Sequence, residues 1–154
     1  ESISHFKRVN DFNYKIMAHI NISSSLNKFY GLEKSFNYLE SIKKNYQDKN
    51  IQLNLNLKQI SLLNEYDKFY DVIEYCTNLL EDNPHLTNIL YARAMAYESI
   101  EKIDLMEQDL RKILSIDRKN VNTLNALGYS LVIHTKRYYE AYSLLYKAYQ
   151  FIIF

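Results

Sequence analysis

The sequence predicts an all-α chain, a right-handed superhelix of about four stacked helix pairs. Three observations lead there. Only two glycines and one proline occur in 154 residues, too few for the frequent turns of an all-β domain. Apolar residues recur at a fixed step of 34: Val72, Cys76, Leu79 and Pro84 advance to Met106, Leu110, Ile113 and Arg118, and Leu90, Ala94 and Tyr97 advance to Leu124, Gly128 and Leu131. Within each copy the apolar positions fall three and four apart, as in Leu124, Leu127, Leu131 and in Ala141, Leu145, Ala148, which is the stripe of an amphipathic helix.

Taken in chain order, Glu1–Val9 reads as the second helix of a pair whose first is missing, with Ile3, Phe6 and Val9 on one side. Helices then follow at about 13–29, 33–46, 50–65, 69–82, 86–100, 103–115, 120–134 and 138–152. Turn and capping residues separate them: Tyr30-Gly31, Tyr66-Asp67-Lys68, Asp82-Asn83-Pro84 and Asp117-Arg118-Lys119-Asn120. Ile22, Ser23 and Leu26, followed by Ser35, Leu39 and Ile42, form an earlier copy. After one inserted residue, Met106, Leu110 and Ile113 map onto Ala141, Leu145 and Ala148. The expected organisation is one solenoid over residues 1–154, with repeats at about 13–49, 53–86, 87–120 and 121–154. Arrays of this kind finish in polar capping helices. Here Phe151-Ile152-Ile153-Phe154 ends the sequence with an apolar cluster, so the chain is expected to be an internal fragment of a longer protein; the alternative is that the tail folds back or pairs with a second copy.

Charge excludes one partner class. With 19 basic and 18 acidic side chains the net charge is +1, and the short pairs Lys7-Arg8 and Lys43-Lys44 are too small for a nucleic-acid footprint. No run reaches the length of a membrane helix. The 15 tyrosines accompany heavy use of Asn, Lys and Ile, as an AT-rich genome would produce.

The templates for chemistry fail in turn. His5, His19, His85 and His134 stand on different repeats without a ligand at metal spacing, so no metal site is expected. Two glycines cannot build a phosphate-cradling loop, so no cofactor is expected. Cys76 shares the inward register of Val72 and Leu79, the place of an inert core thiol. Glu33, Glu74, Glu107 and Glu140 sit near helix starts, where the backbone dipole favours them on a solvated surface. No acid–base pair emerges, and the expectation is a protein that is not an enzyme.

Asn125-Ala126-Leu127-Gly128-Tyr129, followed by Tyr139-Glu140-Ala141 and Lys147-Ala148, resembles the tetratricopeptide repeat. Gly128 and Ala94 fill the family's small-residue slot and Pro84 its turn proline. Ile60, Val72, Met106 and Arg118 depart from the pattern. The resemblance spans about residues 13–150 and is sharpest over 86–148. More narrowly, Asp104–Leu114 with Asn122–Leu131, and the inserted residue before Arg137-Tyr138, resemble the arrays of bacterial cell-envelope lipoproteins that act as adaptors. That likeness implies a periplasmic or outer-membrane-anchored protein, with a periplasmic protease or its substrates as partners; a cytoplasmic location is the alternative.

The family resemblance also implies that the first helix of each pair lines an inner, concave wall. The expected partner-binding residues are Asn54 and Leu57, then Asn88, Tyr91 and Met95, then Asn122, Asn125 and Tyr129, with Ser61, Ala92 and Val132 beside them. Asn54, Asn88 and Asn122 recur at the repeat step. Their amides can hydrogen-bond the backbone of an extended ligand, or can cap helix starts. The cations with which some members of the family clamp a terminal carboxylate are missing, since Leu57, Ser61, Asn88, Tyr91 and Ala92 hold those places. The expected function is a non-catalytic scaffold binding a peptide or partner domain. The competing reading is a structural or self-associating spacer within a larger multidomain protein.

Overall fold

A computed structural model describes residues 2–153, with side chains from Tyr14 to Ile153. Among the described residues eight α-helices follow one another: α1 Ser2–Tyr30, α2 Leu32–Lys43, α3 Lys49–Glu65, α4 Phe69–Asp82, α5 Thr87–Ser99, α6 Ile103–Ile116, α7 Val121–His134 and α8 Tyr138–Ile153. The all-α class is as the periodicity predicts, and no strand occurs among the described residues. The two helices expected at 1–9 and 13–29 are one element, α1. Nothing between Ser2 and Tyr30 stops a helix, since the segment holds neither glycine nor proline. The side chains of Ile3, Phe6 and Val9, and all of Phe154, lie outside the described residues.

The chain divides into two compact units, Glu1–Lys68 and Phe69–Phe154, and the division falls inside the expected repeat 53–86. In the first unit α2 packs on α1, and α3 packs on both. Ile16, Leu39, Ile51, Leu55 and Leu62 form its core, with Ile20, Leu32, Tyr38, Ile42 and Tyr46 against it. The α1–α2 pair also carries a buried polar clasp. Ser35 Oγ donates to the Ser23 carbonyl at 2.8 Å, which leaves its oxygen to accept from Ser23 Oγ at 2.8 Å. Every hydroxyl of the pair is thereby satisfied inside the core.

In the second unit consecutive helices pack in order, α4 on α5, α5 on α6, α6 on α7 and α7 on α8. Equivalent repeat positions are buried together: Leu90 with Leu124, Ala94 with Gly128, Met106 with Ala141, Ile113 with Ala148. On α4, Leu80 is buried beside Val72 and Cys76, while Leu79, expected in that register, is half-exposed. Arg93 of α5 ties three helices together. Its Nε and Nη2 donate to the two carboxylate oxygens of Asp109 on α6, each at 2.8 Å, and its Nη1 donates to Thr77 Oγ1 on α4 at 3.0 Å.

The turns repeat as well. After α3 and after α5 the chain closes in the same C-terminal motif, with Lys68 N donating to Leu63 O at 3.0 Å and Lys102 N to Tyr97 O at 2.8 Å. In each the preceding residue takes positive φ, Asp67 at 52° and Glu101 at 59°. Between α7 and α8 the inserted residue changes the turn. Thr135 is extended there; its hydroxyl donates to Leu131 O at 2.6 Å and accepts from Arg137 N at 3.1 Å.

Candidate functional site

The eight residues expected on the inner wall fall on α3, α5 and α7. Asn54 and Leu57 belong to the first unit, the other six to the second. None of the eight is in the core: Asn54, Asn88, Asn122, Asn125 and Tyr129 are exposed, and Leu57, Tyr91 and Met95 are half-buried.

The amides of the asparagine ladder are not helix caps. Asp48 caps α3, accepting from Asn50 N at 2.8 Å and Ile51 N at 3.1 Å. Asn120 caps α7, accepting from Thr123 N at 3.0 Å. Helix α5 starts from Leu86, which has no side-chain cap to offer. Asn54 instead lies a turn inside α3, where its Nδ2 donates to Asn50 O at 2.8 Å. Asn88 and Asn122 each occupy the second position of their helices.

At the far end of α5 the same stripe continues. Glu98 lies seven positions after Tyr91 and three after Met95, which returns it to their face. Its Oε1 is 3.6 Å from Nε2 of His134, the last residue of α7. This contact links the C-terminal ends of α5 and α7. Burial, and then the Glu98 charge, push the Tyr91 phenol above its ordinary range, so the carboxylate acts electrostatically on that ring. Glu98 and His134 were not among the residues expected on the wall. The signal for Glu98 was present in the spacing, since Asn88, Tyr91, Met95 and Glu98 run three, four and three apart.

Several other ionisable groups are occupied structurally. Cys76 is fully buried, and burial, with a contribution from Asp109 and against Arg93, pushes its thiol up to about 12. Such a thiol is neither nucleophilic nor open to solvent. Glu107 and Glu140, expected as free surface carboxylates, bind two arginines instead. Arg137 donates to Glu107 at 2.7 Å and to Glu140 at 2.8 Å, and Arg111 bonds the same two carboxylates. Lys43, expected in solvent, reaches Glu40 Oε1 at 2.6 Å and Asn56 Oδ1 at 3.0 Å. Among the described residues no group of three or more His, Cys, Asp or Glu is placed to hold a metal ion, and no helix is long and apolar enough to cross a membrane.

No protein-family profile matches the chain. Among solved structures it resembles the crystal structure of MamA, at TM-score 0.68 and 12% identity over 95% of this chain and 83% of that one. MamA from residue 41 to its end, from Desulfovibrio magneticus RS-1, gives TM-score 0.58 at 13% identity over 90% and 95%. At such identities the likeness concerns the fold alone. A TPR repeat-containing protein of Pseudomonas aeruginosa is 31% identical over 142 residues, a match that covers 92% of this chain. The chain is similar in sequence to this tetratricopeptide-repeat protein. It spans 23% of the length of that curated relative. Gly128, in the family's small-residue slot, explains the close approach of α7 and α8: a Cβ there would stand 2.7 Å from Leu145 Cγ and 3.1 Å from Ala141 O. A helical repeat fold of this kind suggests a protein–protein interaction scaffold.

Proposed function

We propose that this tetratricopeptide chain is a non-catalytic scaffold that holds an extended peptide or a partner domain on the inner faces of its first-of-pair helices. The observation that carries the reading is the state of the asparagines. Asn88, Asn122 and Asn125 stand exposed on α5 and α7 and none of them is the cap of its helix, so their amides can meet a ligand backbone. Tyr91, Tyr129 and Met95 supply apolar anchoring of the kind that dominates interface energetics. Asn54 and Leu57 offer a corresponding wall in the first unit. By its resemblance to envelope lipoprotein arrays we place the whole protein in the bacterial periplasm or tethered to the outer membrane, as an adaptor for a periplasmic protease or its substrates.

The test is affinity capture with the chain as bait, comparing it with the triple variant N88A/Y91A/N125A. The expected result is at least a tenfold loss of captured partner, about 1.4 kcal/mol or more, with the chain still folding cooperatively, its melting temperature lowered only by the loss of the half-buried Tyr91 ring since Asn88 and Asn125 are exposed. Full capture by the triple variant would sink the assignment.

A second reading, self-association as a spacer, has its own observation. The outer side of α8 exposes Tyr139 at 96%, Tyr142 at 69% and Ile152 at 71%, and Tyr142 and Tyr146 stack with ring centroids 6.0 Å apart. A contiguous apolar surface of this kind commonly marks an interface. Light scattering of the chain and of Phe151→Ser/Ile152→Ser separates the readings. A dimer that the substitutions dissolve supports the spacer, and a monomer at tens of micromolar removes it.

A further inference from the structure

Helix α7 turns an uncharged face outward. Between Val121 and Ile133 its exposed positions are Asn122, Asn125, Tyr129, Val132 and Ile133, which follow one another three, four, three and one apart and so share one side of the helix. The stripe changes character along its length. Two amides come first, then three large apolar side chains on one turn, Tyr129 at 61%, Val132 at 43% and Ile133 at 55% exposure. On α6 the exposed positions include Asp104 and Arg111, so the lack of charge is particular to this face. Helix α5 extends the pattern, with Asn88, Tyr91 and Met95 along one side and its arginine on the other, where Arg93 is bound to Asp109 of α6 and Thr77 of α4. The ionisable pair Glu98–His134 stands where both helices end.

We propose that the α7 stripe receives an extended peptide segment that carries no charge and sets a large aliphatic side chain on Tyr129, Val132 and Ile133. The inference rests on the groove reading above and adds the chemistry of the occupant. A charged side chain laid on these residues would lose water and meet no counter-ion, so the face rejects either sign. An aliphatic one removes apolar area from water on both partners. The amides of Asn122 and Asn125 call for an extended backbone, since a helical segment keeps its own donors and acceptors paired. From Asn122 to Ile133 the helix rises about 16 Å, the reach of about five extended residues. The aliphatic side chain therefore falls toward one end of the segment, past the residues that the amides hold.

The test is isothermal titration calorimetry of the chain with blocked, unlabelled nonapeptides of alanine, serine and asparagine, identical except for a central leucine, serine, lysine or glutamate. Leucine is expected to bind about tenfold more tightly than serine and with a more negative heat-capacity change, the mark of apolar burial. Lysine and glutamate should both bind more weakly than serine. Val132→Ser/Ile133→Ser, checked for folding by its thermal melt, should cut the leucine-to-serine ratio to about twofold or less. Should that variant melt early, Ile133→Thr repeats the measurement, and a ratio it does not lower overturns the inference. Equal binding of leucine and serine to the unmodified chain would overturn it; if N88A/Y91A/N125A then abolished both, the groove reading would survive. Tighter binding of lysine or of glutamate than of serine would overturn it by revealing a counter-charge on the face. A leucine preference that persists in the double variant would do the same by placing the apolar contact elsewhere. A dimer in light scattering that the double variant dissolves would give the stripe to a second copy, and binding of none of the peptides would overturn this inference and the groove reading together.

Discussion

Gly128 and Gly31 are the chain's two glycines, and they are there for different reasons. Gly31 closes α1 at φ 83°, with nothing within 4 Å of where a Cβ would stand, so its place depends on backbone freedom. Gly128 is helical, and its place depends on room: the missing Cβ would strike Leu145 and the Ala141 carbonyl. In an exposed helix, Gly to Ala is worth about 1 kcal/mol in favour of alanine. Here overpacking, at about 1–3 kcal/mol, works against it, and the carbonyl is backbone that cannot swing aside. Gly128→Ala is therefore expected to destabilise the second unit by up to about 2 kcal/mol. Urea denaturation measures it, and an unchanged or raised midpoint would mean that α7 and α8 do not cross as closely as described. The same crossing in α1–α2 is made by Ser23 and Ser35, which approach as small residues and then hydrogen-bond.

The hairpins differ mainly in how they turn. The closures after α3 and α5 use the same hydrogen bonds, but Asp67 and Glu101 occupy the left-handed position that glycine takes more easily. For a non-glycine residue that conformation costs about 1–2 kcal/mol, whereas glycine would cost about 0.5–1 kcal/mol in lost chain entropy. Glu101→Gly is expected to stabilise the second unit by about 0.5–1 kcal/mol. Asp67→Gly should gain less, since aspartate enters this region more readily than glutamate. Differential scanning calorimetry of the two variants checks the order; a lower melting temperature for Glu101→Gly would refute the strain at that turn. The turn after α7 escapes the problem. Its extra residue lets Thr135 close the helix end with its own hydroxyl, which gives the insertion seen in the sequence a structural purpose.

Across the molecule, the features legible in the sequence were those that recur. Leu90 and Leu124, or Met106 and Ala141, announce helices because burial demands the same residue class each time the chain advances by one repeat. Pairings between single polar side chains do not recur, so they left no such trace: Arg93 meets Asp109, and Glu107 meets Arg137, only because α5 lies on α6 and α6 on α7. Lys43 and Glu140 looked like solvated charges for the same reason. Glu98 was half legible, in register on the wall but without sign of His134. These hidden pairs govern how the fold responds to acid. Hydrogen bonds from Arg137, against the effect of burial and with help from Arg111, hold Glu107 below its ordinary 4.5. Arg111 first, against burial and with Arg137, does the same for Glu140. In the first unit the burial of Glu40 would raise its carboxyl, but hydrogen bonds from Lys43 and Gln59 overcome it and the net shift is downward. In each case the unfolded chain takes up a proton at higher pH than the folded one. The stabilisation is therefore complete above the unfolded value and is lost as pH falls through the folded values. Unfolding free energy measured in urea should be flat from pH 7 to about 5 and decline below it. In Glu107→Gln/Glu140→Gln the value at pH 7 should be lower and the decline shallower, with the remaining slope owed in part to Glu40. If the double variant kept the full acid slope, the arginine clasp between α6 and α8 would not be what links this fold to pH.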